Sequence, residues 1–196
     1  MSRASAAVPW SQGRWTHEPV AVREAGDSLF VTARAESDAW RHTEYGFVHD
    51  SEHALLAPFA VGDAMEVDFV ASFDQEFDQA GIFIRASDEI WTKAGLEYSD
   101  GVLQAGAVVT DVNSDWSVAP VPEWHGNVVT IRASRSQTAI TLRIGVGGSD
   151  LRLLRLLPFN GELAAEAGPL MCAPTRAGLE VEFRQWRRGV ADTSLH

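Results

Sequence analysis

The stretch "AMEVDFVASF", residues 64–73, decides the fold class because its apolar side chains recur at every second position. The recurring apolar residues are Met65, Val67, Phe69, Ala71 and Phe73. Two acids, Glu66 and Asp68, stand between them. Successive side chains of a β-strand point to opposite faces, so this pattern predicts a strand with one face in the core and the other in water.

The same period of two continues on both sides of this strand. It occurs in residues 28–35, 79–86, 90–98, 102–111, 127–134, 138–146, 150–158 and 178–186. Short turn sequences that contain glycine separate several of these segments, and no segment carries a helical stripe longer than two turns. Many short strands at this spacing predict an all-β sandwich or barrel.

We predict one domain over residues 10–187. All-β sandwiches of about this length are usually single domains, and the chain shows neither an internal repeat nor a low-complexity linker. Residues 1–9 and 188–196 lack a periodic pattern, so we expect both ends to be frayed.

The charge balance excludes some classes of partner. The chain of 196 residues has a net charge of -11 and no basic tract, so it lacks the positive surface that binds nucleic acids or anionic membranes. No run approaches the ~18 apolar residues of a membrane-spanning helix, and the first residues lack a signal-peptide pattern. The single cysteine, Cys172, rules out an internal disulfide. We therefore expect a cytoplasmic protein.

The candidate site lies in "IWTKAGLEY", residues 90–98, which contains the only lysine of the chain. On a strand, Trp91, Lys93, Gly95 and Glu97 share one face. Pairing with the preceding strand would bring Arg85 near Trp91 or Lys93. Aromatic and charged groups beside a glycine that leaves room are typical of a surface that binds a sugar or another polar ligand. The alternative is a purely structural Lys93–Glu97 ion pair.

Two other polar segments suggest metal chemistry only weakly. Asp111, Asn113 and Asp115 follow a predicted strand in a polar loop, which favours a turn, although such oxygen-bearing side chains can also hold calcium. His49 and His53 are four residues apart, but their segment indicates strand–turn–strand rather than the helix that a metal-binding pair needs. We predict no metal site.

Catalytic patterns are equally weak. Glu66 and Asp68 share the wet face of a strand, as the carboxylates of a glycosidase would, but a third acid of that pattern is missing at Ala71. Cys172 has no histidine partner in the sequence and is expected to be a buried thiol. We predict no catalytic residue and no cofactor.

Several blocks of the sequence, in order, resemble one known family. These blocks are "DQAGIFIR" (78–85), "WTKAGLEY" (91–98), "AVVTDVNSDWS" (107–117), "GPLMCAP" (168–174) and "LEVEFRQW" (179–186). They are similar to the regulation-of-enolase-like family, an uncharacterised domain family of the concanavalin A-like lectin/glucanase superfamily. The resemblance extends from about Trp15 to Trp186.

This resemblance implies a concanavalin A-like jelly roll of two curved antiparallel sheets, with a concave sheet as the usual ligand surface and carbohydrates as the usual ligands. Six residues match polar or aromatic positions of the family's blocks and become the candidate ligand-binding set: Gln79, Arg85, Trp91, Lys93, Glu97 and Trp116. The family has no established activity to transfer, and a shared fold does not confer function.

Three functions remain open at this point. The first is a non-catalytic binding domain for a carbohydrate or related polar metabolite. The second is a regulatory domain that binds a protein partner or forms a homodimer. The third is a glycoside hydrolase or lyase with Glu97 as acid/base and a second carboxylate from another strand.

Overall fold

A computed structural model describes residues 5–195 of the chain. In chain order the strands are β1 (Ala6–Ala7), β2 (Arg14–Trp15), β3 (Ala21–Ala25), β4 (Ser28–Thr32), β5 (Ala39–Arg41), β6 (Val48–Asp50), β7 (His53–Pro58), β8 (Asp63–Val70), β9 (Gln79–Arg85), β10 (Ile90–Ser99), β11 (Val102–Asp111), β12 (Asn113–Pro120), β13 (Val128–Arg135), β14 (Ala139–Val146), β15 (Arg152–Pro158), β16 (Glu166–Cys172) and β17 (Glu180–Val190). Two 3-10 helices, Trp10–Gln12 and Pro122–Trp124, interrupt them, and residues 5–195 contain no α-helix.

The strands form two large antiparallel sheets and one small hairpin. The eight-stranded sheet has the order β15-β14-β13-β8-β17-β4-β3, with β1 paired to β17. The seven-stranded sheet has the order β12-β11-β10-β9-β16-β7-β2, and β5 and β6 form a separate two-stranded sheet. The predicted all-β sandwich is confirmed.

The main core lies between the two sheets and follows the period of two. Met65, Val67 and Phe69 of β8 are fully buried in it, as the opening stretch predicts. Ile82 of β9 and Leu96 of β10 enter the same core from the seven-stranded sheet. Each strand therefore gives alternate residues to the core, and the remaining ones face outward.

The outer face of the seven-stranded sheet carries a second apolar cluster. Its members are Ala39, Ala54, Leu56, Phe83, Trp91, Val108, Leu170 and Cys172. The β5–β6 hairpin packs over one end of this face, because Arg41 N donates to Ser114 Oγ at 2.9 Å and Thr43 Oγ1 donates to the carbonyl of Ser114 at 2.6 Å. The hairpin leaves a neighbouring part of the sheet open, and the candidate site lies there.

One predicted loop is a strand. The polar residues after Asp111 form β12, which pairs with β11 through a tight turn in which Val112 has a φ of 63°. The prediction of a loop was wrong because the apolar pattern of β12 is weak, as its outward-facing residues are polar on an edge strand.

The described parts of both ends are more ordered than the expected fraying. Ala6 and Ala7 pair with Arg188 and Arg187, and β17 continues to Val190. Backbone hydrogen bonds at a sheet edge need no apolar pattern, so sequence periodicity does not report them. Residues 1–4 and 196, which belong to the same prediction, lie outside the described residues. Within residues 5–195 no helix is long and apolar enough to cross a membrane.

Candidate functional site

A row of three glycines crosses the outer face of the seven-stranded sheet. Gly95 of β10 is in register with Gly81 of β9 on one side and with Gly106 of β11 on the other. The row continues to Leu170 of β16 and Val118 of β12. The sheet therefore has a strip without side chains, and Gly95 and Gly106 of this strip lie in the floor of a cleft.

Glycine is required in this row because the strand backbones approach too closely for a side chain. A Cβ at Gly95 would lie 2.2 Å from the Ala80 carbonyl oxygen, and a Cβ at Gly106 would lie 2.2 Å from the Ser117 carbonyl oxygen. Both distances are well inside van der Waals contact, so any larger residue forces the strands apart.

Lys93 forms one wall of the cleft and is almost fully buried. Its Nζ donates to Asp38 Oδ1 at 2.7 Å and to Gln79 Oε1 at 2.9 Å. Asp38 is bonded in turn to Ser51 at the base of the β5–β6 hairpin, so the ammonium joins the hairpin to the sheet. The lysine pairs with Asp38 rather than with Glu97, the partner that sequence spacing suggested.

Electrostatics keep this lysine charged. Burial alone lowers the pKa of Lys93, but the carboxylate of Asp38 outweighs this effect and the net pKa lies above the usual value. The Cys172 thiol nearby is fully buried, and burial raises its pKa well above the usual value, so it is a neutral neighbour at pH 7. Its burial is also what the sequence predicted for this cysteine.

Glu97 stands in the same wall without a hydrogen bond to one of its oxygens. The Oε1 atom is sealed from water and has no hydrogen-bond partner within the described part of the chain. Burial raises the pKa of Glu97 to about 7, against the opposing influence of the Lys93 ammonium. A buried acceptor without a donor usually indicates a site that a ligand or water completes.

The far side of the cleft is aromatic and apolar. Trp116 of β12 lies in register with Val108, and its side chain is 42% exposed. The cleft is lined by Gln79, Lys93, Glu97, Trp116 and Val118 around the glycine floor, and encloses about 310 Å³ with the open space at its mouth included. Only about 30 Å³ of this space admits a water-sized sphere, so the cleft is shallow and a ring would lie across its mouth rather than inside it.

The other two members of the predicted set lie beside the cleft. Trp91 pairs with Arg85, as the sequence predicted, but it is only 5% exposed and packs on Phe83 in the second apolar cluster. Arg85 forms an ion pair with Asp88. Both residues line a separate small cavity under the hairpin. Ligand binding by these two residues remains a prediction.

Asp38, Gly81 and Gly106 are the site residues that sequence reasoning missed. Asp38 precedes a short strand and lies 55 residues from Lys93, so no local pattern connects the two. The two glycines could have been noticed as glycines within strands, but their alignment with Gly95 depends on the register.

The alternative sites that the sequence raised have structural partners. Glu66 and Asp68 lie on the eight-stranded sheet, and both are bonded to Arg187. Asp115, in the proposed calcium loop, pairs with Arg155. His53 is buried, donates from Nδ1 to the His17 carbonyl and accepts from Arg34 N at Nε2, and burial lowers its pKa.

Comparisons with known proteins give a family and a fold. The family described as "Protein of unknown function (DUF1349)" matches residues 15–189. "Regulation of enolase protein 1" from Saccharomyces cerevisiae is 33% identical over 178 residues, which are 90% of this chain and 88% of that protein. The crystal structure of a functionally unknown protein from the same yeast has 31% identity and a TM-score of 0.88, and covers 94% of this chain and 100% of that chain.

More distant structures share the architecture alone. The metal-free form of lectin I-B4 from Griffonia simplicifolia has 12% identity and a TM-score of 0.56, covering 91% of this chain and 93% of that chain. Xylan beta-1,4-xylosidase from Bacillus halodurans has 12% identity and a TM-score of 0.64, covering 83% of this chain and 32% of that chain. The likeness confirms the predicted concanavalin A-like β-sandwich.

Proposed function

Because the chain belongs to the regulation-of-enolase-like (DUF1349) family, whose function is unknown, we propose that it is a non-catalytic protein that binds a small polar ligand of the carbohydrate type. The proposed site is the cleft over the glycine row. The observation that carries this proposal is the alignment of Gly95 with Gly106, which keeps the floor bare between a charged wall and an exposed tryptophan.

The chemistry of the walls suits a sugar ring. An exposed indole such as Trp116 stacks on the apolar face of a ring. Glu97 Oε1 has no donor within the described residues; because the atom is sealed from water, a ligand hydroxyl would reach it after the Glu97 side chain rotates toward the cleft. Lys93 and Gln79 are already bonded to each other, so they fix the shape of the wall. Their remaining hydrogen-bonding groups would bind the ligand.

The ion pair of the Asp38 carboxylate favours ligand binding over hydrolysis as the function of the cleft. Glu97 has the raised pKa of a general acid, and Asp38 is the carboxylate that acts on it across the same wall. The Asp38 carboxylate, however, is engaged by the Lys93 ammonium at 2.7 Å. A glycoside hydrolase needs a second carboxylate free to attack or to activate water on the opposite side of the sugar.

The test is a thermal-shift titration of the purified protein with mono- and oligosaccharides and sugar phosphates. A ligand at ~100 times its dissociation constant should stabilise the fold by roughly 2.7 kcal/mol. Trp116→Ala should weaken binding about tenfold because it removes the stacking surface without touching the core. Lys93→Ala should abolish binding, with the unfolding curve showing whether the variant is folded.

Leu153→Ala is the matched control, since Leu153 is similarly exposed on the eight-stranded sheet. Ligand binding by this control should equal that of wild type. The proposal fails if wild type shows no shift with any of these compounds, or if Trp116→Ala and Leu153→Ala bind equally well. Release of free sugar during the titration would instead favour the hypothesis that the protein is a glycoside hydrolase.

A regulatory contact with a protein is the second candidate, and one surface feature favours it. Tyr45 and Phe47 of the β5–β6 hairpin stack with ring centres 5.2 Å apart, although they are exposed. Exposed aromatic groups of this kind often mark protein contacts. Since a relative is named for regulation of enolase, purified enolase is the partner to titrate, with Tyr45→Ala expected to weaken any binding.

A further inference from the structure

A histidine and two carboxylates meet at the base of the β5–β6 hairpin, outside the proposed cleft. His17 comes from the segment after β2, Asp50 ends β6 and Glu52 immediately precedes β7. One donor atom from each of the three lies within 4.8 Å of the others. The residues are distant in sequence, and the fold alone brings His17 to the other two.

Glu52 is the unusual member of this group because it is a carboxylate at only 2% exposure. The Nδ1 atom of His17 lies 3.9 Å from Glu52 Oε1, which is beyond hydrogen-bond distance. A buried carboxylate is normally matched by a cation or by donors at close range. The Glu52 backbone N–H and Thr16 bond to this carboxylate, but neither of them supplies a positive charge, and the His17 ring stays beyond hydrogen-bond distance.

The nearby arginines do not fill this role. Arg41 and Arg85 line the small cavity that Asp50 and Glu52 also line. Arg41, however, is bonded to Glu89 at 3.0 Å, and Arg85 forms its ion pair with Asp88. Each guanidinium is thus engaged by an acid other than Glu52.

We propose that His17, Asp50 and Glu52 bind a divalent transition-metal ion, with Zn²⁺ as the ion best suited to the site. Zinc accepts both imidazole nitrogens and carboxylate oxygens as ligands, whereas calcium takes oxygen ligands alone. The Glu52 carbonyl oxygen, 3.0 Å from His17 Nδ1, is a further oxygen at the same position. In the hydrogen bond between these two atoms, Nδ1 is the donor. A metal ion bound at Nδ1 would displace this proton, and the neutral imidazole would then carry its proton on Nε2.

The position of this site gives the metal ion a structural role. Between Asp50 and Glu52, the backbone N–H of Ser51 donates to the Asp38 carbonyl at 2.9 Å, and its hydroxyl accepts from Asp38 N at 3.1 Å. Asp38 in turn holds the Lys93 ammonium. An ion at this point would fix the base of the hairpin and, through Ser51 and Asp38, the charged wall of the cleft.

The experiment is calorimetric titration of the chelator-treated protein with Zn²⁺. Wild type should bind one ion. His17→Gln and Glu52→Gln each remove a proposed ligand. Loss of a group that only supports a metal ligand typically lowers metal affinity about 10- to 100-fold, so each variant should lose at least that much affinity for Zn²⁺. Hydrogen exchange of residues 38–52 should slow when Zn²⁺ is added to wild type and should not change in the two variants.

His125→Gln is the matched control, because His125 is exposed on the far 3-10 helix segment and should leave Zn²⁺ binding unchanged. His17 is itself partly exposed, so its variant should fold, and urea unfolding without metal checks this. The proposal is overturned if wild type binds no Zn²⁺, if both ligand variants bind as tightly as wild type, or if His125→Gln loses binding to the same extent. Trp116→Ala should bind Zn²⁺ normally, so failure of the cleft proposal and failure of the metal proposal give different results.

Discussion

At the scale of one residue, burial in the cleft opposes ionisation of the Glu97 carboxyl group. The nearest ammonium, that of Lys93, is committed to Asp38 and Gln79, so it compensates the Glu97 carboxylate only in part. Burial therefore dominates and raises the pKa to about 7, from 4.5 for an ordinary glutamate. The folded protein holds this proton more tightly than the unfolded chain does, so stability falls as pH rises from 4.5 to 7.

Glu97→Gln should remove this loss of stability. The difference in unfolding free energy between the variant and wild type should grow in favour of the variant by up to about 3 kcal/mol from pH 4.5 to pH 7, and then stay constant. Urea unfolding at pH 5, 6, 7 and 8 measures it. Glu123→Gln, at an exposed acid, serves as control and should run parallel to wild type. A parallel profile for Glu97→Gln as well would contradict the proposed origin of the shift.

At the scale of the strands, the site depends on how β9, β10 and β11 align. The register places three glycines side by side, and the same register places Lys93 opposite Phe83 and Val108. The bare floor and the apolar support beneath the lysine therefore have one cause. A shift by one residue would turn Lys93 and Glu97 into the main core.

Gly95→Ala should disrupt this alignment. The new Cβ would meet the Ala80 carbonyl oxygen at 2.2 Å, and overpacking of this kind costs about 1–3 kcal/mol or more. Gly26→Ala is the comparison, because Gly26 has a φ of 61° but nothing within 4 Å, so only backbone strain of roughly 1–2 kcal/mol applies. Urea unfolding should rank Gly95→Ala as the more destabilising, with faster hydrogen exchange in β9 and β10. The reverse ranking would show that the strands separate easily.

At the scale of the whole molecule, the segment after β17 is bonded to other strands of the eight-stranded sheet. Asp192 accepts from Arg132 at 3.1 Å and from Arg143 at 3.2 Å, which ties the segment after β17 to β13 and β14. Arg132 is also bonded to Glu66 at 2.5 Å. Burial by itself raises the pKa of Asp192, but the bond and charge of Arg132 outweigh it and the net pKa is lowered.

Asp192→Asn should therefore destabilise the protein by about 1–2 kcal/mol at pH 7, the scale of a hydrogen-bonded ion pair that is largely shielded from water. A lowered carboxyl pKa contributes stability above pH 3.8 that is lost as the pH falls through the folded-state value. The difference between variant and wild type should thus shrink in acid unfolding below about pH 3.8. Asp150→Asn, at an exposed turn, should have little effect at either pH. A difference that persists undiminished in acid would mean that the ion pair is not its cause.

The sequence by itself determined the strands and the face on which each side chain lies. Met65, Val67 and Phe69 are buried as their spacing predicts, and Lys93, Gly95 and Glu97 share the outer face. These features depend only on the two-residue repeat of an extended chain. A short turn between the two strands was the basis for expecting Arg85 near Trp91 or Lys93, and the register places it opposite Trp91.

Only the tertiary structure decided which distant residues meet. Asp38 pairs with Lys93 across 55 residues, and His17 approaches Glu52 across 35. The polar strand β12, the alignment of Gly106 with Gly95 and the pairing of residues 6–7 with β17 depend likewise on register. The physical reason is that a strand completes its hydrogen bonds with whichever neighbour the sheet order supplies, and that order is set by the packing of the whole sandwich rather than by any local pattern.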